Sequence, residues 1–220
     1  YVYPFNPEAE EWFLMGLFDD LKKKNTLTYQ QLIFKINGIK PNNYELVLNL
    51  TPEEIKFANN FKQRQHLKDN VPTIGIHPGA GGRWMKKRWK IESFIELIKR
   101  LKTELNIQIL LFGAEREAKL NNQILEALPG NVINTGFNNT ARQFASLLNL
   151  CDVVVAGDTL PVHIAAALKK KSVVLFGPTS TQEIDLYGRG EKIVAHLDCT
   201  CCYRESCDKN PDCMDSISVD

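Results

Sequence analysis

Residues 151–177 read Cys-Asp-Val-Val-Val-Ala-Gly-Asp-Thr-Leu-Pro-Val-His-Ile-Ala-Ala-Ala-Leu-Lys-Lys-Lys-Ser-Val-Val-Leu-Phe-Gly, and this stretch constrains the fold more than any other. An apolar β-branched run stops at Gly157, and a short polar turn occupies 158–161. A helix rich in small residues begins near His163, and a second apolar run covers 173–176. The pattern is strand, turn, helix, strand, with the polar turn at the carboxyl end of a strand. In open parallel sheets ligands sit at that edge, where helix amino termini present unpaired N–H groups to anions. The turn therefore nominates a phosphate site.

The same alternation runs back to residue 73. A strand at 73–77 enters Pro78-Gly79-Ala80-Gly81-Gly82. After Lys86-Lys87-Arg88 a helix shows apolar residues at 91, 94, 95, 98, 101 and 105, one face at helical spacing. A strand at 107–112, a helix with Leu120, Ile124, Leu125 and Leu128 on one side, and a short strand at Val132 and Ile133 follow, punctuated by Pro129-Gly130. Thr140 and Gln143 have capping-box spacing ahead of a helix through Phe144, Leu147 and Leu148. Five strands alternating with four helices predict an α/β fold, a Rossmann-like parallel sheet flanked by helices, over residues 66–220.

Residues 1–65 break that pattern and predict an amino-terminal helical extension. One helix carries Trp12, Phe13, Leu17 and Leu21, and a second is capped by Thr28 and Gln31, with Leu32, Ile33 and Ile36 as its apolar side. A short strand is expected at 44–48. Thr51-Pro52-Glu53-Glu54 then supplies an N-cap, a first-turn proline and the acid that closes a helix start. This region reads as a linker and the remnant of a preceding domain, and a chain that opens on Tyr rather than Met reads as part of a longer protein.

Charge and hydropathy exclude other classes. With Lys+Arg 27 against Asp+Glu 26, the chain carries no basic excess that would predict nucleic-acid binding. No run approaches the roughly 18 apolar residues of a transmembrane segment, and Tyr1-Val2-Tyr3-Pro4 is not a secretory leader.

Several residues are candidates for chemistry. His77-Pro78-Gly79-Ala80-Gly81-Gly82 leaves a strand with glycines that let backbone approach a ligand closely and aim consecutive N–H groups at one anion, although a flexible turn reads the same way. Lys87 lies where its ammonium can reach over that edge; the competing reading is a solvated basic turn. Asp158 and Thr159 read as helix caps that fix the loop. A carboxylate beside a diphosphate is repelled unless a proton or cation intervenes, so the N–H groups of Thr159, Leu160 and Val162 are the expected anion donors. His163, in the first turn, is placed to donate to a phosphate or a sugar hydroxyl, or is structural. Glu117, just past the strand ending at Phe112, is placed to bridge two ribose hydroxyls, or is an exposed helix glutamate.

Taken in order, His77-Pro78-Gly79-Ala80 with Lys87-Arg88-Trp89, Phe112-Gly113-Ala114-Glu115-Arg116-Glu117, Asp158 through Ala167, and Phe176-Gly177-Pro178-Thr179 resemble glycosyltransferase family 9, the lipopolysaccharide heptosyltransferases. The resemblance implies the carboxyl-terminal half of a GT-B enzyme. That half holds ADP-heptose, and a missing amino-terminal domain supplies an aspartate base and holds a lipid-linked saccharide acceptor. It implies inversion by direct displacement without an obligatory cofactor, in the cytoplasm or at the inner face of the bacterial inner membrane. Carried over residue by residue, Lys87 becomes the catalytic lysine that neutralises the leaving diphosphate and Glu117 the ribose acid. His77, Gly79, Ala80, Arg83, Asp158, Thr159, Leu160 and His163 join them around the donor. Two departures stand out: Leu160 replaces the usual glycine after the Asp-Thr pair, and Gly81, Gly82 and Arg83 replace hydroxyl residues ahead of the lysine. Backbone N–H groups and Arg83 substitute for those hydroxyls, or the donor is another nucleotide sugar. A non-catalytic nucleotide-binding or regulatory module is the alternative. An NAD-dependent oxidoreductase is disfavoured because no Gly-x-Gly-x-x-Gly follows a strand.

Cysteines divide into Cys151, read as a small core residue, and a cluster of Cys199, Cys201, Cys202, Cys207 and Cys213. Cys199 and Cys202 have zinc-knuckle spacing that Cys207 and Cys213 complete only loosely, so zinc, disulfides and free thiols all remain open.

Overall fold

The computed structural model describes residues 4–40, 44–82 and 85–220. Asn6 starts α1 (Pro7–Leu17) by accepting the Ala9 N–H at 2.7 Å. The single helix expected through Trp12 and Leu21 is instead two, because Phe18 turns extended (φ −124°, ψ 107°) and a new helix, α2 (Asp19–Lys24), begins there. Consecutive Asp19 and Asp20 stabilise that second start against the helix dipole. Trp12, Phe13, Leu17 and Leu21 all remain exposed. α3 (Tyr29–Ile36) and α4 (Pro52–Arg64) each carry a complete capping box, Thr28 with Gln31 and Thr51 with Glu54.

The strand expected at 44–48 does not form; residues 44–50 run as coil. Alternating apolar residues make a strand only where a sheet edge can take up their backbone groups. Here Glu45 is held through its side chain instead, by Arg189 at 2.9 and 3.1 Å.

β1 (Thr73–His77), α5 (Ile91–Glu104), β2 (Gln108–Leu111), α6 (Ala118–Ala127), β3 (Ile133–Asn134), α7 (Ala141–Leu148), β4 (Val153–Gly157), α8 (Leu160–Ala167), β5 (Lys171–Phe176) and β6 (Gly190–Val194) follow. Among the described residues these strands form one sheet of six in the order β3-β2-β1-β4-β5-β6, every pairing parallel. The sixth strand is absent from the sequence reading because its burial is low along its length, which removes the apolar run that marks the others. The helix after β4 starts at Leu160, earlier than expected, with Pro161 in its first turn.

Period-two alternation sends the strand side chains to the two faces of the sheet, where they enter three buried clusters. Ile76, Ile109, Leu111 and Val155 pack with Trp89, Phe94, Ile98 and Ile124 on one face. Leu110, Phe112 and Val154 pack with Phe61, Phe144, Leu147, Leu148 and the buried Cys151 on the other. The second face depends on α4, which brings Phe61 and is fastened to α7 by Arg142, whose guanidinium reaches Glu54 at 2.5 and 2.6 Å.

After β6 the chain forms no further helix or strand. Residues 195–220 still enter the first core through Ala195, Cys213, Met214 and Ile217. All six cysteines are free thiols. Cys202 and Cys207 lie near enough to Cys213 to help raise its pKa, but among the described residues no three His, Cys, Asp or Glu side chains form a group that could hold a metal ion. The zinc reading thus lacks the geometry it requires.

Candidate functional site

The strand order reverses between β1 and β4, so the crevice beyond their carboxyl ends is the switch point where doubly wound sheets bind ligands. Their register, Ile76 against Val155 and His77 against Ala156, brings both strands to that edge side by side.

At the β1 end, His77 is buried and its ring meets Phe144 edge-on at 6.2 Å. Burial pushes its pKa down to about 4, so the imidazole is neutral at physiological pH. The chain then passes Gly79, whose missing side chain matters: a Cβ there would lie 2.5 Å from Glu117 Cγ and 2.9 Å from His77 Cε1. Glu117 is therefore laid across the glycine loop. It is buried, not the exposed helix glutamate of the competing reading, and its Oε2 accepts the Ala114 N–H at 3.0 Å. Ala80 is half-buried. Arg83 lies outside the described residues.

At the β4 end, a single 3-10 turn, Met85–Lys87, crosses the strand so closely that a Cβ on Gly157 would stand 2.9 Å from the Lys87 carbonyl oxygen. From there Lys87 Nζ reaches Asp158, donating to Oδ2 at 2.6 Å and to the backbone oxygen at 3.3 Å. Thr179, on the loop after β5, donates its hydroxyl to the same Oδ2 at 2.8 Å. Asp158 is thus tied to two other loops and is not a helix cap. Thr159 occupies the N-cap position with no side-chain cap bond, its hydroxyl donating to Gly157 O at 3.2 Å. Of the three amides expected to face an anion, Val162 N–H is already committed to Thr159 O at 3.1 Å.

The two ends flank a cleft of about 260 Å³ lined by Lys87, Asp158, Thr159, Leu160, His163 and Thr179. Leu160 is 59% exposed on its rim. The same cleft is lined by Tyr29, Glu183, Lys22 and Tyr203, none of which the sequence marks as a site residue. Tyr29 donates its hydroxyl to Glu183 Oε2 at 2.9 Å, and its N–H goes to Glu183 O at 3.1 Å, so α3 docks directly on the loop after β5. Burial and the neighbouring Glu183 carboxylate raise the Tyr29 pKa, keeping a neutral hydroxyl there. Lys22 Nζ lies 3.9 Å above the Tyr203 ring. Thr179 lies in the Phe176-Gly177-Pro178-Thr179 motif and is legible in the sequence, whereas Glu183 carries no local signal.

Chemically, the cleft offers two ammoniums, Lys87 and Lys22, with hydroxyls and a helix amino terminus at the edge of a parallel sheet. A lysine paired to an aspartate at such a place is the cation that lets a carboxylate sit beside a polyanionic ligand.

Comparison with known proteins gives a consistent result. The family model described as glycosyltransferase family 9 (heptosyltransferase) matches residues 22–211. Lipooligosaccharide heptosyltransferase 2 of Campylobacter jejuni (serotype O:6, strain 81116) is 31% identical over 211 residues, covering 91% of this chain and 63% of that protein. The E. coli ADP-heptose lipopolysaccharide heptosyltransferase II structure matches at 28% identity and TM-score 0.60, over 72% of this chain and 48% of that one. A family 9 glycosyltransferase of Veillonella parvula, 18% identical with TM-score 0.73, covers 89% and 58% and shares the fold. The chain spans less than two thirds of the length of these relatives. With a family match over most of its sequence and those motifs gathered at the switch point of the sheet, this chain belongs to glycosyltransferase family 9.

Proposed function

We propose that this chain is the nucleotide-sugar-binding portion of an inverting glycosyltransferase that moves heptose from ADP-heptose to a lipopolysaccharide core acceptor. The observation that carries the reading is the Lys87–Asp158 pair at the switch point, with Nζ 2.6 Å from Oδ2. The match to an E. coli enzyme described by its ADP-heptose donor supports the nucleotide and the sugar. Residues 66–220 form the donor-binding unit, with the Cys-rich segment at its end. Residues 1–65 are the linker and the end of the acceptor-binding domain, whose remainder supplies the general base. The acceptor is a lipid-linked saccharide reached through that domain, at the cytoplasmic face of the inner membrane. No helix among the described residues is long and apolar enough to cross a membrane.

In this reading the diphosphate lies over the α8 amino terminus with Lys87 against it, and His163 and Thr159 face its oxygens. Glu117 takes the ribose and His77 and Gly79 shape the floor beneath. Lys87 stabilises charge as it accumulates on departing ADP, which needs no reorganisation because Asp158 and Thr179 already hold the ammonium and its partner in place. The chemistry requires no cofactor. One observation favours a different nucleotide sugar: Leu160 projects at the cleft rim where the resemblance would have glycine.

Calorimetric titration of the chain with ADP, UDP, GDP and NAD tests the proposal. ADP binds selectively, and Lys87→Ala weakens it about 10- to 100-fold, the range of one charge-assisted hydrogen bond of about 1.5–3 kcal/mol. Preference for UDP or GDP changes the donor, and NAD preference or unaltered ADP affinity in the variant overturns the assignment of Lys87.

A further inference from the structure

Apart from Tyr203, the Cys-rich terminal segment lends no residue to the cleft, yet it touches both loops that hold Asp158. Three residues on one side of the Lys87 turn meet it. Lys86 Nζ donates to Asp212 Oδ2 at 2.8 Å, the Trp89 Nε1–H donates to Ile217 O at 3.0 Å, and Lys90 Nζ lies 3.3 Å from Asp215 Oδ2. Lys87 projects the other way, toward Asp158. The loop that carries Thr179 is gripped by the same segment. Cys201 N–H donates to Gly177 O at 2.9 Å and Tyr203 N–H to Pro178 O at 2.8 Å. A Cβ on Gly177 would lie 2.6 Å from Cys213 Sγ and 2.7 Å from Met214 Sδ, so these side chains are pressed against the backbone of that loop.

Asp212 is the residue on which this support turns. It is buried, 7% exposed, and besides Lys86 it accepts the Asp215 N–H on Oδ1 at 3.0 Å. A buried carboxylate with one cation partner binds that partner strongly, because separating them leaves an uncompensated charge in a poorly solvated place.

We propose that Asp212 is a positioning residue for the donor site: through Lys86 it fixes the 3-10 turn so that Lys87 is presented to Asp158 and to a bound diphosphate. The inference rests on the donor-site reading for its ligand, but the placement of the turn is measurable without one. The segment from 199 to 217 acts as a brace whose sequence is set by the two loops it holds, which gives the cysteine cluster a packing role.

The test compares Asp212→Asn, Lys86→Met and the double variant in the full chain. Asp212→Asn keeps Oδ1 for the Asp215 amide and removes the charge and the acceptor that face Lys86. Lys86, 39% exposed along its side chain, can be replaced without opening the core. Hydrogen exchange followed by mass spectrometry reads the Arg88 amide, which donates to Met85 O at 3.1 Å within the turn. Exchange across 85–90 rises about 10-fold or more in each single variant and no further in the double, while 153–157 is unchanged. ADP affinity falls about 10-fold with adenosine affinity retained, because only the diphosphate contact is displaced. Asp212→Glu restores both in part. Unchanged exchange at 85–90, additive losses in the double variant, or equal loss of ADP and adenosine overturns the proposal. Should the wild-type chain bind no ADP, the donor-site reading fails and the exchange result alone decides the positioning role.

Discussion

Gly157→Ala adds one methyl group at the end of β4, and the backbone fixes where it must go. The new Cβ stands 2.9 Å from the Lys87 carbonyl oxygen and 3.9 Å from that of Leu175. Carbon–oxygen contacts settle near 3.3–3.6 Å, so the Lys87 peptide has to retreat by roughly half an ångström. Gly157 is not among the glycines with positive φ, so alanine carries no conformational penalty and the contact is the whole cost. The obstacle is backbone, held from behind by the Lys86–Asp212 and Trp89–Ile217 bonds, and it cannot swing aside as a side-chain tip would. Overpacking of this kind costs about 1–3 kcal/mol. For a chain of this size that lowers Tm by roughly 2–12 °C. A Lys87 displaced by that distance loses part of a charge-assisted hydrogen bond worth about 1.5–3 kcal/mol in full, which predicts roughly a 10-fold loss of ADP affinity. Thermal denaturation and ADP calorimetry measure the two effects on one preparation. Wild-type values in both would mean that the turn does not rest on β4, and the account of how Lys87 is placed would be wrong.

His77 predicts a pH effect. Its pKa falls from 6.5 when unfolded to about 4 when folded, so below pH 6.5 the unfolded chain takes up a proton that the native one refuses. Stability therefore drops as pH falls from 6.5 to about 4, by about 3 kcal/mol, and His77→Gln flattens that portion of the profile in urea titrations; an unaltered slope would refute it. Gly79→Ala drives a methyl into Glu117 and His77. Adenosine affinity is expected to fall about 10-fold while the ratio of ADP to adenosine affinity is kept, since Lys87 is untouched. A loss confined to ADP would place Glu117 away from the ribose.

Local chemistry made most of the scaffold readable. Thr28 with Gln31, Thr51 with Glu54 and Thr140 with Gln143 each form the reciprocal cap their spacing predicts. The buried strands show as apolar runs. What escaped was decided by partners distant in sequence. Residues 44–48 have the alternation of a strand but no sheet edge to join, whereas 190–194 lack a strong apolar pattern and become a strand because β5 offers them an edge. Asp158 looked like a cap because nothing local shows that Lys87 and Thr179 converge on it from 71 and 21 residues away. Glu183 and Tyr29, separated by 154 positions, meet only in the folded chain.

The edges of the sheet carry a consequence for how the molecule keeps its own company. β3 is two residues long, and β6 exposes Gly190 and Glu191 while Lys192 is drawn across to the Thr181 and Ile184 carbonyl oxygens. A flat, long edge invites another strand to add, and stubby or charged ones refuse it. The β3 margin is too short to template a long pairing, and the β6 margin sets the charge of Glu191 beside an exposed Ile193. A sheet built to open a crevice at its centre thus offers an added strand little length at one side and a charged rim at the other.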